Sequence, residues 1–193
     1  MDAKTSAKIA NGQLTIGTTT TDADGVPRYD SGRVMTKAGW RYARIEIRAK
    51  LPGSKGIWPA IWMLPKNGVW PPEIDIMELL GDKPNRVYMT HHWGTRQQKL
   101  HDQTDFTGPD FTAGYHVFAL EWERGKLQWF IDGVRVKVST RSVPDVGMSL
   151  ILNTSVGGDW PGMPDATSIF PQQFGVDYVR VYQRPGTSPL ATR

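Results

Sequence analysis

Short segments that alternate apolar and polar residues recur along the whole chain, and this alternation is the feature that most constrains its fold. In YARIEIRAKL, Ile45 and Ile47 would point to one face of a β-strand, while Arg44, Glu46 and Arg48 would point to the other. The 20 Gly and 14 Pro are spread over the 193 residues, which is typical of short strands joined by tight turns. No segment clearly predicts a helix. We therefore predict an all-β fold of two packed antiparallel sheets.

The predicted strands include a meander, because Arg124-Gly125 and Asp132-Gly133 lie between alternating segments as two-residue loops. Asp-Gly is typical of type I′ hairpin turns. The segments that predict strands are AKIANGQLTIGT, SGRVMTK, RYARIEIRAKL, IWPAIWML, RVYMTHHW, YHVFALEWE, KLQWFIDG, VRVKVS, MSLILNTSV and FGVDYVRVYQ. Together they predict a single domain over residues 1–183, and residues 184–193 are expected to form a flexible tail.

Composition and charge exclude several classes of function. The chain contains no Cys, so it has neither disulfides nor thiolate metal sites. Its formal charge of +4 comes from cations interleaved with acids, without a basic arm, and we expect no nucleic-acid partner. No apolar run approaches the roughly 20 residues that span a bilayer, so we expect no membrane segment. The first residues, MDAKTSAKIANGQL, lack the apolar core of a signal peptide, so the chain is either cytosolic or a mature form without its leader.

The run PPEIDIMELLGD carries three carboxylates, Glu73, Asp75 and Glu78. A helix would be favoured there by the two prolines, by acids in the first turn and by Gly81 as a C-terminal cap. The apolar residues of the run surround the helical wheel, however, and at ~100° per residue Glu73 and Glu78 would lie roughly 140° apart. The neighbouring segments are also β-like, so we predict a strand.

The extra residue before Glu78 predicts a β-bulge. In a regular strand Glu73 and Asp75 would share a face with Met77, and Glu78 would point the other way. One bulged residue around Ile76 and Met77 brings all three carboxylates to one face. Carboxylates that share a patch raise at least one pKa, which suits a proton-donating acid beside an ionised one, as in glycoside cleavage. On these residues alone, the alternative is an acidic strand face exposed to water.

The segment GIWPAIWMLPKNGVWPPEIDIMELLG resembles family 16 glycoside hydrolases, in particular their laminarinase-like β-1,3-glucanase members. These members carry E-[IL]-D-x-(x)-E, with Met77 here as the extra residue. SGRVMTK, YARIEIRAKLP, RVYMTHHWG, WFIDG, LILNTSVGGDWPG and VDYVRVY appear in the order of the family, so the resemblance covers roughly residues 9–183. It implies a β-jelly roll, a sandwich of two curved antiparallel sheets whose concave face forms an open sugar cleft.

The resemblance also implies a role for each carboxylate. Glu73 would be the nucleophile that forms a glycosyl-enzyme intermediate, and Glu78 would be the general acid/base. Asp75 would hydrogen-bond the nucleophile and modulate the charge of both. Cleavage would then retain the anomeric configuration, which requires the two glutamate carboxyls to lie about 5–5.5 Å apart. No cofactor is implied for catalysis.

Further positions resemble sugar-binding residues of the family. Trp58 and Trp62 would stack on glucose rings from one face of a strand, although either could be a core residue. His92, on the opposite strand face from His91, is expected near the carboxylates, and a metal there would lack further ligands at suitable spacing. The remaining positions that resemble cleft or rim residues are Trp70, Trp160, Asn153, Arg33, Glu46 and Arg48. Those tryptophans could instead be packed, Asn153 could end a strand, and the charged residues could form surface ion pairs.

Three departures from the family pattern bear on these expectations. The usual YGR is YAR here, and Pro71-Pro72 replaces a longer approach to Glu73, which would alter the donor-side rim. Relatives begin a few dozen residues earlier, with an edge strand and part of a structural calcium site; that segment is expected to be short or missing here. Asp177 resembles the remaining calcium ligand, but such a site needs about 6–8 oxygen ligands, so structural calcium stays an open expectation.

The resemblance implies endo-hydrolysis of β-glucan, chiefly at β-1,3 linkages and with mixed β-1,3/1,4 chains as an extension. The expected partner is a β-glucan polysaccharide or oligosaccharide, and the expected protein is a monomer that is secreted in its native context. In other members the same carboxylates serve agarose, carrageenan or transglycosylation, and the fold can also act as a non-catalytic β-glucan-binding lectin. Such lectins usually lose a carboxylate, whereas all three are present here.

Overall fold

The computed structural model describes residues 6–184, so all of the predicted tail except its first residue lies outside the described part of the chain. Two antiparallel β-sheets make up the fold. The eight-stranded sheet contains β1 (Ala7–Ala10), β2 (Gln13–Ala23), β3 (Val26–Ser31), β5 (Ala43–Lys50), β10 (His116–Glu123), β11 (Lys126–Ile131), β12 (Val134–Ser139) and β14 (Gln172–Tyr182). The six-stranded sheet contains β4 (Arg33–Met35), β6 (Ile57–Pro65), β7 (Glu73–Leu79), β8 (Arg86–Gly94), β9 (Lys99–Thr107) and β13 (Met148–Val156).

The strand order in space differs from the order in sequence. In the larger sheet it is β1-β2-β14-β5-β10-β11-β12, with β3 paired to β2, and in the smaller sheet it is β4-β13-β6-β7-β8-β9. Both sheets contribute side chains to one hydrophobic cluster between them. In β5, for example, Ile45 and Ile47 are fully buried in that cluster, while the alternating charged residues stay partly exposed. The predicted all-β jelly roll of two antiparallel sheets is thereby confirmed.

Pairs of Asn or Asp with Gly form three of the turns. Asn11–Gly12, Asp24–Gly25 and Asp132–Gly133 have positive φ at both positions, the geometry of a type I′ turn, whose twist matches that of the strands it joins. The first pair divides the predicted segment AKIANGQLTIGT into β1 and β2, and the second leads into β3. β3 is not among the predicted strands, although its Asp-Gly turn signals it.

The strand β7 lies inside the six-stranded sheet, with β6 on one side and β8 on the other. It spans the run of carboxylates, so the predicted strand is confirmed over a helix. We call the side of this sheet that points away from the core the cleft face; it carries Glu73, Asp75, Glu78, Trp58 and Trp62. Among residues 6–184, no helix has the length and hydrophobicity needed to cross a membrane.

Candidate active site

The strand β7 contains the predicted bulge. Against β8, Asp75 pairs with Thr90 and Glu78 pairs with Tyr88, so three steps along β7 match two steps along its neighbour. The ladder with β6 shifts at the same place. The phase of the strand therefore changes by one residue between Asp75 and Glu78.

The bulge sorts the side chains of β7 between the core and the cleft face. Ile74, Ile76, Met77 and Leu79 all lie in the hydrophobic cluster. The consecutive pair Ile76 and Met77 points inward because the extra residue is accommodated there. All three carboxylates consequently remain on the other side of the strand, as the spacing predicts.

Glu78 is the carboxyl at the far end of the bulge, and it is only 9% exposed. The indole Nε1 of Trp58 donates a hydrogen bond to its Oε1 over 3.1 Å. Burial, followed by the negative charge of Asp75, raises the pKa of Glu78 to about 9, while the Trp58 hydrogen bond acts in the opposite direction. Glu78 is therefore protonated at neutral pH and can donate a proton.

Asp75 is the central carboxyl and is 2% exposed. Burial raises its pKa well above the ordinary value, and the charge of Glu73 and a hydrogen bond to Glu73 add to that rise. The ammonium of Lys137 opposes it from the other side. His92 Nε2 lies 3.1 Å from Asp75 Oδ2, which puts the imidazole in contact with the carboxyl cluster.

Glu73 is the most accessible of the three carboxyls, with a side chain 19% exposed. Trp70 Nε1 donates to Glu73 Oε2 over 2.8 Å, and His92 Nε2 lies 3.8 Å from Glu73 Oε1. The ammonium of Lys99, at the start of β9, lies 5.5 Å from the centre of the Trp70 ring. The Trp70 ring thus packs beside Glu73 and makes a cation–π contact with Lys99.

Three of the expected cleft residues lie together on the side of β6 that faces β13. Trp62 Nε1 donates to Asn153 Oδ1 over 2.6 Å, and the guanidinium carbon of Arg33 lies 5.2 Å from the centre of the Trp62 ring. Arg33 and Asn153 are also direct partners in the pairing of β4 with β13. The structure therefore brings these residues to the cleft face, beyond Glu78 and across β6.

An aromatic cluster borders Glu78. Trp58 and Trp160 meet edge to face, with ring centres 5.2 Å apart at an angle of 89°, and Tyr88 lies 4.9 Å from Trp160 in a similar arrangement. Trp160 is 39% exposed, so part of its ring faces water. Flat, partly exposed rings of this kind can pack against the apolar face of a sugar.

Comparison with known proteins places this architecture in a family. The model of glycosyl hydrolases family 16 matches residues 2–180. The chain belongs to glycosyl hydrolase family 16. It is 37% identical to a beta-glucanase of Rhodothermus marinus, over 93% of this chain and 72% of that protein. It is also 37% identical to glucan endo-1,3-beta-glucosidase A1 of Niallia circulans, over 84% of this chain but only 27% of that protein.

The fold agrees with solved structures of the same family. The laminarinase catalytic domain of Thermotoga maritima MSB8 superimposes with a TM-score of 0.84 at 37% identity, covering 95% of this chain and 82% of that one. Family 16 enzymes need no cofactor for catalysis. The sequence-based assignment to this family and to its laminarinase-like branch is confirmed.

Two expected cleft positions of this family 16 chain are wrong. Glu46 and Arg48 lie on β5 of the eight-stranded sheet, on the side away from the core. Glu46 accepts hydrogen bonds from Arg44, and Arg48 pairs with Asp177 over 2.7 Å. Alternation along the strand predicts their exposure correctly but does not tell which sheet the strand joins. They form the surface ion pairs that the sequence leaves as the alternative.

The possible metal sites of the family 16 chain fall in two places. Glu73, Asp75 and His92 each bring one ligand atom to within 4.8 Å of the others, so they could hold a cation, although the protein already engages these groups with one another and with Trp70. Asp177 has its carboxylate paired with Arg48 and is 47% exposed. A structural calcium at Asp177 stays a prediction.

Several cleft-face residues of this family 16 member are missing from the sequence-based set. Tyr88 and Thr90 are the register partners of Glu78 and Asp75, and β9 extends the rows with His101, Gln103 and Asp105. The rings of His92 and His101 lie 5.9 Å apart. The signal for β9 is the alternation in LHDQTDF, which is easily overlooked because this edge strand contains few apolar residues.

Proposed function

We propose that this chain is a retaining, endo-acting β-glucan hydrolase that prefers β-1,3 linkages. The observation that carries the proposal is the pairing of unlike carboxyls on one face of β7. Glu78 is buried with a pKa of about 9, while Glu73 is more accessible and accepts a hydrogen bond from Trp70. An acid kept protonated beside an accessible carboxylate is the arrangement that double displacement requires.

Each carboxyl has a separate task in the proposed mechanism. Protonated Glu78 gives its proton to the glycosidic oxygen while the Glu73 carboxylate attacks the anomeric carbon and forms the glycosyl-enzyme bond. Ionised Glu78 then removes a proton from water, which attacks the same carbon and releases Glu73. Asp75 is in contact with His92 and hydrogen-bonds Glu73, and it thereby holds the nucleophile in place. Its negative charge also raises the pKa of Glu78, which favours the protonated form of that acid. The anomeric configuration is inverted twice and so retained.

The substrate class rests on the relatives and on the cleft face. The matched proteins are named as a beta-glucanase, a glucan endo-1,3-beta-glucosidase and a laminarinase. Aromatic surfaces border both glutamates, with Trp70 beside Glu73 and the Trp58–Trp160 pair beside Glu78. Rings on both sides of the reacting carboxyls support binding of sugars on both sides of the cleaved bond, which favours attack within a chain.

The decisive experiment incubates the protein with laminarin and separately with lichenan, and follows the release of reducing ends. Activity on laminarin that is abolished in both Glu73→Gln and Glu78→Gln supports the carboxyl pair and the β-1,3 preference together. Cleavage of lichenan alone would support the proposed hydrolysis by the two glutamates but contradict the preference for β-1,3 linkages. A folded wild type that binds a glucan without cutting it indicates a lectin, and one that binds neither directs the search to agarose and carrageenan.

The proposal also covers the cellular location of the protein, its oligomeric state and a structural calcium ion. An endo-acting hydrolase meets its polymer outside the cell, so we propose that the protein is secreted. We also propose that it is a monomer, which size-exclusion chromatography with light scattering tests. We also keep the structural calcium at Asp177 as a proposal. A rise in the melting temperature on adding Ca²⁺ that disappears in Asp177→Asn would support it, and an unchanged melting temperature would contradict it.

A further inference from the structure

A tryptophan of the opposite sheet donates a hydrogen bond to the backbone of the catalytic strand. Trp129 lies on β11 and is fully buried between the sheets. Its indole Nε1 donates to the main-chain oxygen of Asp75 over 2.9 Å. The donor therefore crosses the core and reaches β7 from behind, at the residue that carries the central carboxyl.

The position of this acceptor is notable because Asp75 is where the bulge begins. Both ladders of β7 change register between Asp75 and Glu78, with shifts against β6 and against β8. Backbone groups next to a bulge depend on partners outside the regular ladder, and a bulge that is not held can shift its phase. The hydrogen bond from Trp129 fixes the main-chain carbonyl of Asp75, the last residue before the register shift.

A buried lysine beside Trp129 makes similar hydrogen bonds to the backbone of the next two strands, β8 and β9. Lys137 lies on β12, its side chain is 3% exposed, and its ammonium lies 4.8 Å from the centre of the Trp129 ring. Its Nζ donates to the main-chain oxygen of Met89 over 3.0 Å and also to the main-chain oxygen of Asp102, whose carboxylate Oδ1 lies 3.6 Å away. Trp129 and Lys137 thus hold β7, β8 and β9 from the rear.

We propose that Trp129 and Lys137 are positioning residues for the reaction: by holding the backbone behind the bulge, they fix the placement of Asp75 and Glu78 relative to Glu73. This inference rests on the proposed function for its consequence in catalysis. The contacts that carry it are backbone contacts in the core, so neither residue touches the substrate. Small misplacements of catalytic groups are costly, with about 100-fold lost for a shift of about 1 Å.

The structure supplies a matched control for the simpler explanation that a buried indole merely needs an acceptor. Trp122 lies on β10 of the same sheet, is 1% exposed, and donates its Nε1 to the main-chain oxygen of Pro144 over 3.1 Å. Trp129→Phe and Trp122→Phe therefore each remove one buried indole N–H from a backbone carbonyl and leave an aromatic ring behind. Only the first removes a hydrogen bond to β7.

The test measures kcat and KM on the glucan together with hydrogen exchange of the backbone. For Trp129→Phe we expect kcat to fall by about 10- to 100-fold with little change in KM, and exchange to increase in peptides covering residues 73–79. For Trp122→Phe we expect kcat near the wild-type value and no increase in those peptides. Equal losses of kcat in the two variants, or no loss in either, would overturn the positioning role.

Two further arms keep the result decisive. If the wild type does not hydrolyse glucan, the proposed function fails, but the exchange difference between the two variants still decides whether Trp129 holds the bulge. If Trp129→Phe does not fold, Lys137→Met takes its place, with increased exchange in residues 86–94 and reduced kcat as the expected result. Unchanged exchange and unchanged kcat in that variant would contradict the proposal.

Discussion

Glu73 and Glu78 form a natural comparison, because each accepts a hydrogen bond from an indole N–H on the same face of one strand. The bond from Trp70 to Glu73 measures 2.8 Å, and that from Trp58 to Glu78 measures 3.1 Å. Their surroundings differ, since Glu73 is partly open to water while Glu78 is buried next to Asp75. The raised pKa of Glu78 therefore follows from its burial and from the charge of Asp75, against the effect of the indole hydrogen bond.

The largest effect should come from removing either carboxyl. We expect Glu78→Gln to lower kcat on laminarin by about 10²–10⁴-fold, because proton transfer is lost, and Glu73→Gln to lower it further, because no glycosyl-enzyme bond can form. On an aryl glycoside whose leaving group needs no protonation, the first variant should recover part of its formation of the glycosyl-enzyme, and the second should not. Equal losses on both substrates would mean that the two glutamates do not divide the work in this way.

Removing the buried carboxyl should also stabilise the protein at high pH. The pKa of Glu78 is raised from 4.5 to about 9, so stability that is present below pH 4.5 is lost as the pH rises towards 9. Gln does not titrate, so Glu78→Gln should gain stability relative to wild type by roughly 4 kcal/mol more at pH 8 than at pH 5, about 1.4 kcal/mol for each pH unit between the two pKa values. Urea unfolding at the two pH values measures this, with Glu73→Gln for comparison. A gain that does not depend on pH would contradict the raised pKa.

A smaller effect should separate the two indoles. The Trp58 hydrogen bond lowers the pKa of Glu78, so its loss in Trp58→Phe should raise that pKa further and move the alkaline limb of the kcat/KM profile to higher pH. We expect kcat at neutral pH to change by about tenfold or less, because Glu78 is protonated there and a hydrogen bond to a neutral group contributes about 0.5–1.5 kcal/mol. Trp70→Phe is the matched variant, because its donor meets Glu73 and should leave the alkaline limb in place. A shift in the opposite direction for Trp58→Phe would show that its ring matters more than its N–H.

The smallest effect should lie on the outer face of the other sheet. Arg48 pairs with Asp177 and lies over the ring of Tyr115, and both partners of the ion pair are about as exposed as typical surface residues. Arg48→Gln should therefore change the free energy of unfolding by roughly 0–1 kcal/mol and leave kcat and KM unchanged. Thermal unfolding and laminarin kinetics test this. A marked rise in KM would restore the sequence-based placement of Arg48 in the cleft.

Local spacing carried the sequence-based predictions that succeeded. The three carboxylates could be placed on one face because E-x-D-x-x-E is out of phase with a regular strand by one residue. Trp58 and Trp62 could be paired because they are four apart, an even spacing that puts both on one face of a strand. Arg48 failed because alternation gives the face of a strand but not the sheet that it joins. Trp129 could not be found at all, since its contact with Asp75 joins residues 54 positions apart, and only the packing of the two sheets brings them together.

The bulge also bears on how this strand can change over evolutionary time. An inserted residue would ordinarily turn every following side chain of a strand to the wrong face, and selection would remove it. Here the extra residue lies at a bulge whose two side chains, Ile76 and Met77, both point into the core. Burial of one additional apolar side chain of this size contributes about 1.5–3 kcal/mol to the free energy of folding. The same residue that realigns Glu78 thus adds apolar burial beside the two most buried carboxyls. Deleting it would leave E-x-D-x-E, whose three acids a regular strand also presents on one face, so the motif can lose this residue without separating its carboxylates, while part of the hydrophobic support is lost.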